Sequence, residues 1–221
     1  MITPPRIVLL HATLVAVDPI KDAFRDLWPE PELVNLLDDS LTPDRARAPD
    51  LTEALIERFI SLGRYGLSVG ADAILVTCSA FGPAIDIMAR DFPVPVLKPN
   101  EAMFQAAVDI GSRIGMIATF APAVVTMEDE FNEVAASTGV VASLDTIVVE
   151  DAMTALRAGD AATHNQRIAD RAHELDGVDA IVLAHFSTSR AQAAVQARTP
   201  VPVLTAPGAA VSRLRTLIEG H

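Results

Sequence analysis

Two residues that can transfer protons occupy equivalent places in this sequence. Cys78, the only cysteine, lies in "AILVTCSAFG" (73–82), and His185 lies in "AIVLAHFSTS" (180–189). Each follows a short apolar run and precedes small or polar residues. A thiol and an imidazole can each take up or release a proton. On opposite faces of one carbon, such a pair could invert its configuration, because one group removes a proton and the other supplies one.

A duplication explains why the two segments look alike. Four separate stretches repeat at a constant offset of 107 residues. They are 70–81 with 177–188, the identical "PVPVL" at 93–97 and 200–204, Arg6-Ile7 with Arg113-Ile114, and Leu37-Asp38 with Leu144-Asp145. Chance similarity between apolar strands would account for one such match, whereas four at one offset indicate an internal repeat.

Short strands and longer helices alternate along the chain. Apolar runs bounded by turn residues predict strands at 6–12, 32–38, 73–79, 94–98, 113–119, 141–149, 180–186 and 201–205. Segments of helical periodicity predict helices near 51–68, 83–91, 101–111, 122–137, 152–175, 188–197 and 208–219. This alternation is typical of an α/β fold with central, mostly parallel sheets flanked by helices.

The repeat divides the predicted fold into two similar halves related by an approximate two-fold axis. Residues 1–100, with the C-terminal helix 208–221, form the half that carries Cys78, and residues 101–207 form the half that carries His185. Ligands of open α/β sheets bind beyond the carboxyl ends of strands, and pockets favour domain interfaces. We therefore expect the active site between the halves.

The turn after Cys78 predicts an activated thiol. "SAFGP" leads into a helix that begins near Pro83. Unpaired N–H groups and the positive end of the helix dipole are expected to lie near the sulfur and to lower its pKa. The alternatives are a buried structural cysteine and, for His185, a histidine that only satisfies a backbone carbonyl.

Residues at the other strand ends are candidates for substrate binding. His11 and Thr13 end the first strand, and Thr119 and Phe120 end its counterpart in the second half. The polarity of turns explains each of them equally well. His164 and His173 lie in a charged helix and are expected to face solvent, while His221 is terminal.

Aromatic residues near the strand ends predict a partly apolar crevice. Phe186 occupies the place that Ser79 has in the first half, and Phe81 and Phe120 lie nearby in the sequence. Ser187, which follows Phe186, is a candidate N-cap of the next helix and a further candidate for substrate binding.

Composition argues against several other functions. The formal net charge is −12, the isoelectric point is about 4.7 and the mean hydropathy is +0.32. Nucleic acids and anionic membranes require a basic face. No apolar stretch approaches the ~20 residues that span a bilayer, and the N-terminus lacks a signal-peptide pattern, so we expect a cytoplasmic protein.

The sequence also lacks the common motifs for bound groups. One cysteine forms no internal disulfide, and with scattered histidines it offers no metal-ligand spacing. GxGxxG, Walker and GxSxG patterns are absent. We therefore expect no metal and no cofactor.

The chain resembles the aspartate/glutamate racemase superfamily, which includes hydantoin racemases, maleate isomerases and arylmalonate decarboxylases. The resemblance covers nearly the whole chain and rests on the duplication and on "VTCSAFG", "IATFAP" and "VLAHFSTSRA". In that family two facing cysteines are the base and acid of a cofactor-independent proton transfer. Cys78 matches the first cysteine, and His185 stands where the second is expected.

The resemblance implies roles for further residues. Thr77 and Ser79 flank Cys78 as in the motif, and Thr119 matches a carboxylate-binding position. In the family, strand-end hydroxyls and backbone amides bind the substrate carboxylate. In this chain the backbone amide of Ala80 is a candidate for that role. The expected partner is thus a small-molecule carboxylate, and a homo-oligomer is expected for such an enzyme.

Three mechanisms and one non-enzymatic function fit these observations. The first is a racemase or epimerase in which Cys78 and His185 transfer protons at the carbon alpha to the carboxylate of an amino acid or related acid. The second is an arylmalonate-type decarboxylase, although those enzymes keep the other cysteine. The third is a maleate-type cis-trans isomerase in which Cys78 adds to an unsaturated acid. The fourth is a catalytically silent carboxylate-binding protein.

Overall fold

The computed structural model describes residues 4–220, which form two parallel sheets of four strands each. The strands are β1 Arg6–His11, β2 Glu32–Leu37, β3 Ala73–Val76, β4 Val96–Leu97, β5 Arg113–Ala118, β6 Ser143–Val148, β7 Ala180–Leu183 and β8 Val203–Thr205. Their order is β2-β1-β3-β4 in one sheet and β6-β5-β7-β8 in the other. The predicted α/β fold with two similar halves is confirmed.

Helices flank both sheets. They are α1 Val17–Leu27, α2 Leu41–Arg47, α3 Glu53–Ser68, α4 Gly82–Asp91, α5 Glu101–Ile110, α6 Val124–Thr138, α7 Glu150–Arg157, α8 Ala161–Arg171, α9 Gln192–Gln196 and α10 Ala206–Glu219. The sequence did not predict α1 and α2. In α1, Asp18-Pro19 has the form of a turn, but Pro19 lies in the first helical turn, where its missing N–H costs no hydrogen bond.

The predicted helix 152–175 is wrong as a single element. Gly159 adopts a φ of +85°, which ends α7, and the Asp160 side chain accepts a hydrogen bond from the Thr163 N–H at the start of α8. The predicted helix 188–197 is likewise divided between a 3-10 turn up to Ala191 and the short α9.

Equivalent hydrogen bonds hold β1 beside β3 and β5 beside β7. The Arg6 N–H donates to Asp72 Oδ2 at 2.7 Å, and the Arg113 N–H donates to Asp179 Oδ2 at 2.9 Å. The β1–β3 and β5–β7 registers are also the same under the 107-residue offset. The repeat therefore extends to the backbone contacts of the inner strands.

One of the four sequence matches is not a structural match. Arg6 pairs with Glu32 across β1 and β2, whereas Arg113 pairs with Ser143 across β5 and β6. Leu37-Asp38 is therefore not equivalent to Leu144-Asp145. The physical cause is that α6 has 15 residues and α1 only 11, so β6 starts four residues later than the offset predicts.

The two halves share one main hydrophobic core, to which residues of all four inner strands contribute. The helix that follows each sheet crosses to the other half, since α5 packs against α6, and α10 packs against α1 and α5. These contacts agree with a boundary near residue 100, which stays a prediction. Within residues 4–220, no helix has the length and apolarity to cross a membrane.

Candidate active site

The carboxyl ends of the inner strands β1, β3, β5 and β7 face each other across the boundary between the halves. A 3-10 turn follows each of them: Leu14–Ala16, Ser79–Phe81, Ala121–Ala123 and Phe186–Ala191. The turn after β1 packs against the turn after β7, and the turn after β3 packs against the turn after β5. In each sheet the chain winds in opposite directions from these inner strands, and ligands bind at such switch points.

One partly exposed residue marks the end of each inner strand. Thr13 follows β1, Cys78 follows β3, Phe120 follows β5 and His185 follows β7. The 107-residue offset pairs Thr13 with Phe120 and Cys78 with His185. We call the predicted site between these four strand ends the strand-end crevice. The approach of Cys78 and His185 to one ligand from different halves stays a prediction.

The Cys78 thiol is neutral at physiological pH. Burial raises its pKa to about 11, although the Ala80 N–H donates a hydrogen bond to the sulfur and partly opposes this shift. The expectation of a lowered thiol pKa is therefore wrong. The sequence indicated the backbone donors correctly but did not show how strongly the surrounding atoms remove solvent from the sulfur.

The His185 imidazole is also neutral. Burial lowers its pKa to about 4, and its Nε2 atom has no hydrogen-bond partner among the described residues. The backbone has a φ of +74° and a ψ of 140°, the only positive φ of a non-glycine residue within residues 4–220. This conformation costs about 1–3 kcal/mol and is characteristic of functional sites.

His11 and Thr77 lie behind the crevice rather than on its surface. Both are buried, and His11 Nδ1 and Thr77 Oγ1 are 2.8 Å apart. His11 Nε2 contacts Asn35 Oδ1 at 3.0 Å, and the Thr77 hydroxyl donates to the Leu10 carbonyl at 3.1 Å. Burial lowers the pKa of His11, whereas the Asn35 contact opposes that shift. The network fixes the end of β3 against β1.

The remaining candidates differ in their access to a ligand. Thr119 is buried, and its hydroxyl has no partner among the described residues. Phe120 keeps partial exposure. Phe81 and Phe186 are fully buried in the main core, so the expected apolar wall of three phenylalanines reduces to Phe120. Ala80 and Ser187 are buried within the turns that follow β3 and β7. Direct ligand contact by any of these residues stays a prediction.

Sequence reasoning did not find two buried polar residues near Ser79: Asn100, which contacts Ser79, and Glu130, which contacts Asn100. Asn100 Nδ2 donates to Ser79 Oγ at 2.7 Å and lies 3.2 Å from Glu130 Oε2, while the Asn100 N–H donates to Glu130 Oε1 at 3.2 Å. Burial raises the pKa of Glu130 to about 7. Asn100 looks like the N-cap of α5 in the sequence, but its side chain makes no capping bond there.

The other histidines lie outside the crevice. His164 is buried in α8 with its Nε2 atom unpartnered among the described residues, so its predicted solvent exposure is wrong. Burial lowers its pKa. His173 is exposed, and its Nδ1 contacts the Asp170 carbonyl. His221 lies outside the described residues. Within residues 4–220, no group of three His, Cys, Asp or Glu could hold a metal ion.

Solved structures of several racemases have the same fold. Glutamate racemase RacE1 of Bacillus anthracis superposes with a TM-score of 0.82 at 13% identity, over 99% of this chain and 83% of that one. Allantoin racemase of Klebsiella pneumoniae gives 0.70 at 19% identity, over 97% and 88%. Aspartate racemase of Picrophilus torridus gives 0.71 at 14% identity, over 97% and 94%.

Sequence comparison is less sensitive at such distances, and no curated protein is a detectable sequence relative of this chain. A family model, however, matches residues 7–214, which is nearly the whole chain and includes both strand-end motifs. Its description is Asp/Glu/hydantoin racemase. The chain therefore belongs to the Asp/Glu/hydantoin racemase family.

Proposed function

We propose that the protein is a cofactor-independent racemase or epimerase that acts at the carbon alpha to the carboxylate of an amino acid or related small acid. The observation that carries this proposal is the placement of Cys78 and His185. They occupy equivalent positions of a duplicated fold, at strand ends that approach one crevice from different halves. Membership of a racemase family supports an isomerase function.

The protonation states of the two groups suit one direction of the reaction. Because the pKa of Cys78 is about 11 and that of His185 about 4, the free protein holds a thiol and an uncharged imidazole at pH 7. His185 is then the base that removes the α-proton, and the C–H electron pair moves into the carboxylate. The Cys78 thiol donates its proton to the opposite face of the carbon.

This turnover leaves a Cys78 thiolate and a His185 imidazolium. Return of the proton from the imidazolium to the thiolate through solvent restores the starting pair. The opposite enantiomer requires the ion pair instead, with the thiolate as base and the imidazolium as acid. The two directions therefore start from different ionisation states of the same two groups, and here one state is a neutral pair and the other an ion pair, whereas in a symmetric pair of cysteines the two states would be equivalent.

Hydrogen-bond donors near the strand ends stabilise the negative charge of the enolate-like intermediate. The Thr119 hydroxyl is buried without a partner among the described residues, and the Ser79 hydroxyl lies beside Cys78. An unsatisfied buried hydroxyl is costly unless a ligand completes its hydrogen bonds. We assign both hydroxyls to the substrate carboxylate.

The guanidinium of Arg45, which contacts the turn after β5, favours an acidic substrate. Arg45 lies in α2, and its guanidinium donates to the carbonyls of Ala48 and Pro122, the latter in the turn after β5. The buried Nε atom of Arg45 has no partner, and Arg45 makes no ion pair with a described residue. A second carboxylate on the substrate would neutralise this charge. We therefore place glutamate and aspartate first among the candidates.

Deuterium exchange tests the proposed function. The protein is incubated in D2O with each enantiomer of glutamate, aspartate and alanine, with allantoin, and with arylmalonates. Loss of the α-proton is followed by NMR, inversion by chiral chromatography and carbon dioxide release by mass spectrometry. We expect exchange with inversion for an acidic amino acid, and at least a ~10³-fold loss of inversion in Cys78→Ala.

Matched variants and alternative outcomes make this test decisive. His173→Ala, which removes an exposed histidine, is expected to leave exchange unchanged, whereas His185→Ala abolishes inversion. Carbon dioxide release with one deuterium incorporated would identify a decarboxylase instead. Binding without exchange would identify a silent carboxylate-binding protein. Full activity of Cys78→Ala on any of these compounds would overturn the proposal.

A further inference from the structure

A chain of buried polar groups connects the second half of the molecule to the residue beside Cys78. Ser79, Asn100 and Glu130 are at most 5% exposed. Asn100 contacts both other side chains through the same amide nitrogen, at 2.7 Å from Ser79 Oγ and 3.2 Å from Glu130 Oε2. Buried polar groups that are far apart in the sequence are retained mainly where their geometry matters.

The packing around this chain leaves little freedom of movement. Ser79 begins the turn after β3, Asn100 directly precedes α5, and Glu130 lies in α6 of the other half. A side chain at Gly82 would clash with Thr126 of α6, so α6 lies directly against the beginning of α4. A cavity of about 130 Å³ between these elements is lined by both Ser79 and Glu130.

The hydrogen-bond pattern determines what the Ser79 hydroxyl can do. With Glu130 ionised, both carboxylate oxygens accept bonds from Asn100, one from its N–H and one from Nδ2. The amide nitrogen therefore points towards Glu130 and Ser79, and Ser79 Oγ accepts from it. The Ser79 hydrogen has no acceptor among the described residues, so it is available to a ligand.

We propose that Glu130 and Asn100 are positioning residues that hold the Ser79 hydroxyl as a hydrogen-bond donor to the substrate carboxylate. This inference rests on the proposed function, because it needs a carboxylate next to Cys78. Neither Glu130 nor Asn100 touches the substrate. Glu130 determines which way the Asn100 side-chain amide points. The amide in turn determines whether the Ser79 hydroxyl accepts a hydrogen bond from Asn100 or donates one to it.

The Asn100 amide can adopt a second orientation, because its oxygen has no partner in the first. Asn100 Oδ1 is buried and has no donor in the part of the chain that the structure describes. When Glu130 takes up a proton, it becomes a donor, and rotation of the amide brings Oδ1 towards Glu130 and Ser79. The Ser79 hydroxyl then donates to Asn100 instead of the substrate, and substrate affinity falls.

Several charged groups act on Glu130 from the surrounding elements. Lys98 lowers its pKa, and Glu101 raises it, but both effects are smaller than that of burial. Lys98 itself binds Asp86 of α4 and Glu133 of α6, each at 2.8 Å. Asp129 also lines the cavity. Because the pKa of Glu130 is about 7, the change of state falls in the neutral pH range.

Glu130→Gln tests the inference, with Glu133→Gln as its matched control on the same helix. The introduced side-chain amide can donate to Asn100 as protonated Glu130 does, so the variant imitates the low-affinity state at every pH. With D- and L-glutamate and D- and L-aspartate as probes, we expect KM at pH 8 to rise about tenfold, the effect of one hydrogen bond to a charged group. We expect kcat to fall as well, because the same hydroxyl stabilises the negative charge of the enolate-like intermediate.

The pH profile distinguishes positioning from a merely structural role. In the wild type and in Glu133→Gln, kcat/KM is expected to fall below pH 7 as Glu130 is protonated, in addition to any fall that other groups cause. In Glu130→Gln this component disappears. A profile identical in shape to that of the wild type would overturn the inference, even if KM were raised.

A double-mutant cycle with Ser79→Ala shows whether Glu130 acts through the hydroxyl. Ser79→Ala alone is expected to raise KM about tenfold, and adding Glu130→Gln is expected to raise it no further. Independent, multiplicative effects would contradict the inference. Circular dichroism shows whether each variant is folded. If Glu130→Gln does not fold, Asn100→Asp is tested instead, because it changes the residue that links Glu130 to Ser79.

Failure of this inference is distinguishable from failure of the proposed function. If Cys78→Ala keeps full inversion activity, the proposed function fails first. If Cys78 is required but Glu130→Gln behaves like Glu133→Gln in KM and in pH profile, only the positioning role of Glu130 is wrong.

Discussion

The strand ends that carry Cys78 and His185 have the same place in the fold but different surroundings. Behind Cys78, the buried His11 and Thr77 contact each other across β1 and β3. The offset places Ala118 and Ala184 at the corresponding positions behind His185. The inner strands of the two halves thus share one register, whereas polar support of the candidate reacting group is present only in the first half.

The backbone differs as strongly as the surroundings. Cys78 has an ordinary extended conformation with a φ of −134°, whereas His185 has a φ of +74°. The 3-10 turn after His185 has six residues against three after Cys78. The Thr188 hydroxyl donates back to the His185 carbonyl at 2.7 Å, which closes this turn. Hydrogen bonds hold the first group in place, and a strained turn holds the second.

His185→Gln has the largest effect expected from this asymmetry. A glutamine side chain cannot act as a base, so the enantiomer whose α-proton faces residue 185 is expected to lose exchange about 10³-fold. The other enantiomer still meets Cys78, and because the thiolate is its base, its exchange proceeds without inversion and rises with pH towards the thiol pKa of about 11. Exchange of each enantiomer in D2O, followed by NMR and chiral chromatography, measures this difference. Equal losses for both enantiomers would show that the two groups do not act on separate faces.

Cys78 is expected to react slowly with iodoacetamide. Only the thiolate reacts, and a pKa of about 11 leaves a fraction of ~10⁻³ ionised at pH 8, about a hundredfold less than for an exposed thiol. The alkylation rate, measured by mass spectrometry, is therefore expected to rise tenfold per pH unit up to about pH 11. Ser79→Cys is not a suitable reference because Ser79 is buried, so a free cysteine peptide is the control. A plateau near pH 8 would contradict the assigned thiol.

Thr77→Val tests the polar support of the first half. The variant removes the hydroxyl but keeps the volume, and it leaves one buried nitrogen of His11 without its partner, which costs about 1–3 kcal/mol of unfolding free energy. In a cycle with His11→Leu, the double variant is expected to lose less than the sum of the single losses. Urea denaturation measures all four proteins. Additive losses would show that the His11–Thr77 contact contributes no coupling.

Sequence patterns predicted the strand-end residues of the candidate site but not the buried residues behind them. The strand ends followed from apolar runs and the repeat, which also predicted that Cys78 and His185 face one site. Glu130 was not found because "MEDEFNE" contains four acidic residues, and only the packing of α6 shows which of them is buried. The predicted direction of the Cys78 pKa shift was wrong for the same reason. The amide donors are local in sequence, but burial depends on the whole fold.

The smallest predicted effect concerns backbone strain at the two strand ends. At an ordinary position glycine is less stabilising than alanine by about 0.5–1 kcal/mol, because it loses more conformational entropy on folding. Cys78→Gly is therefore expected to be less stable than Cys78→Ala. At residue 185 the order is expected to reverse, with His185→Gly about 1 kcal/mol more stable than His185→Ala, because glycine adopts a positive φ without strain. Each pair removes the same functional group, so its effect cancels, and urea denaturation then compares the two backbones directly. The same order at both positions would mean that His185 stores no strain, and that the difference between the halves lies in their side chains alone.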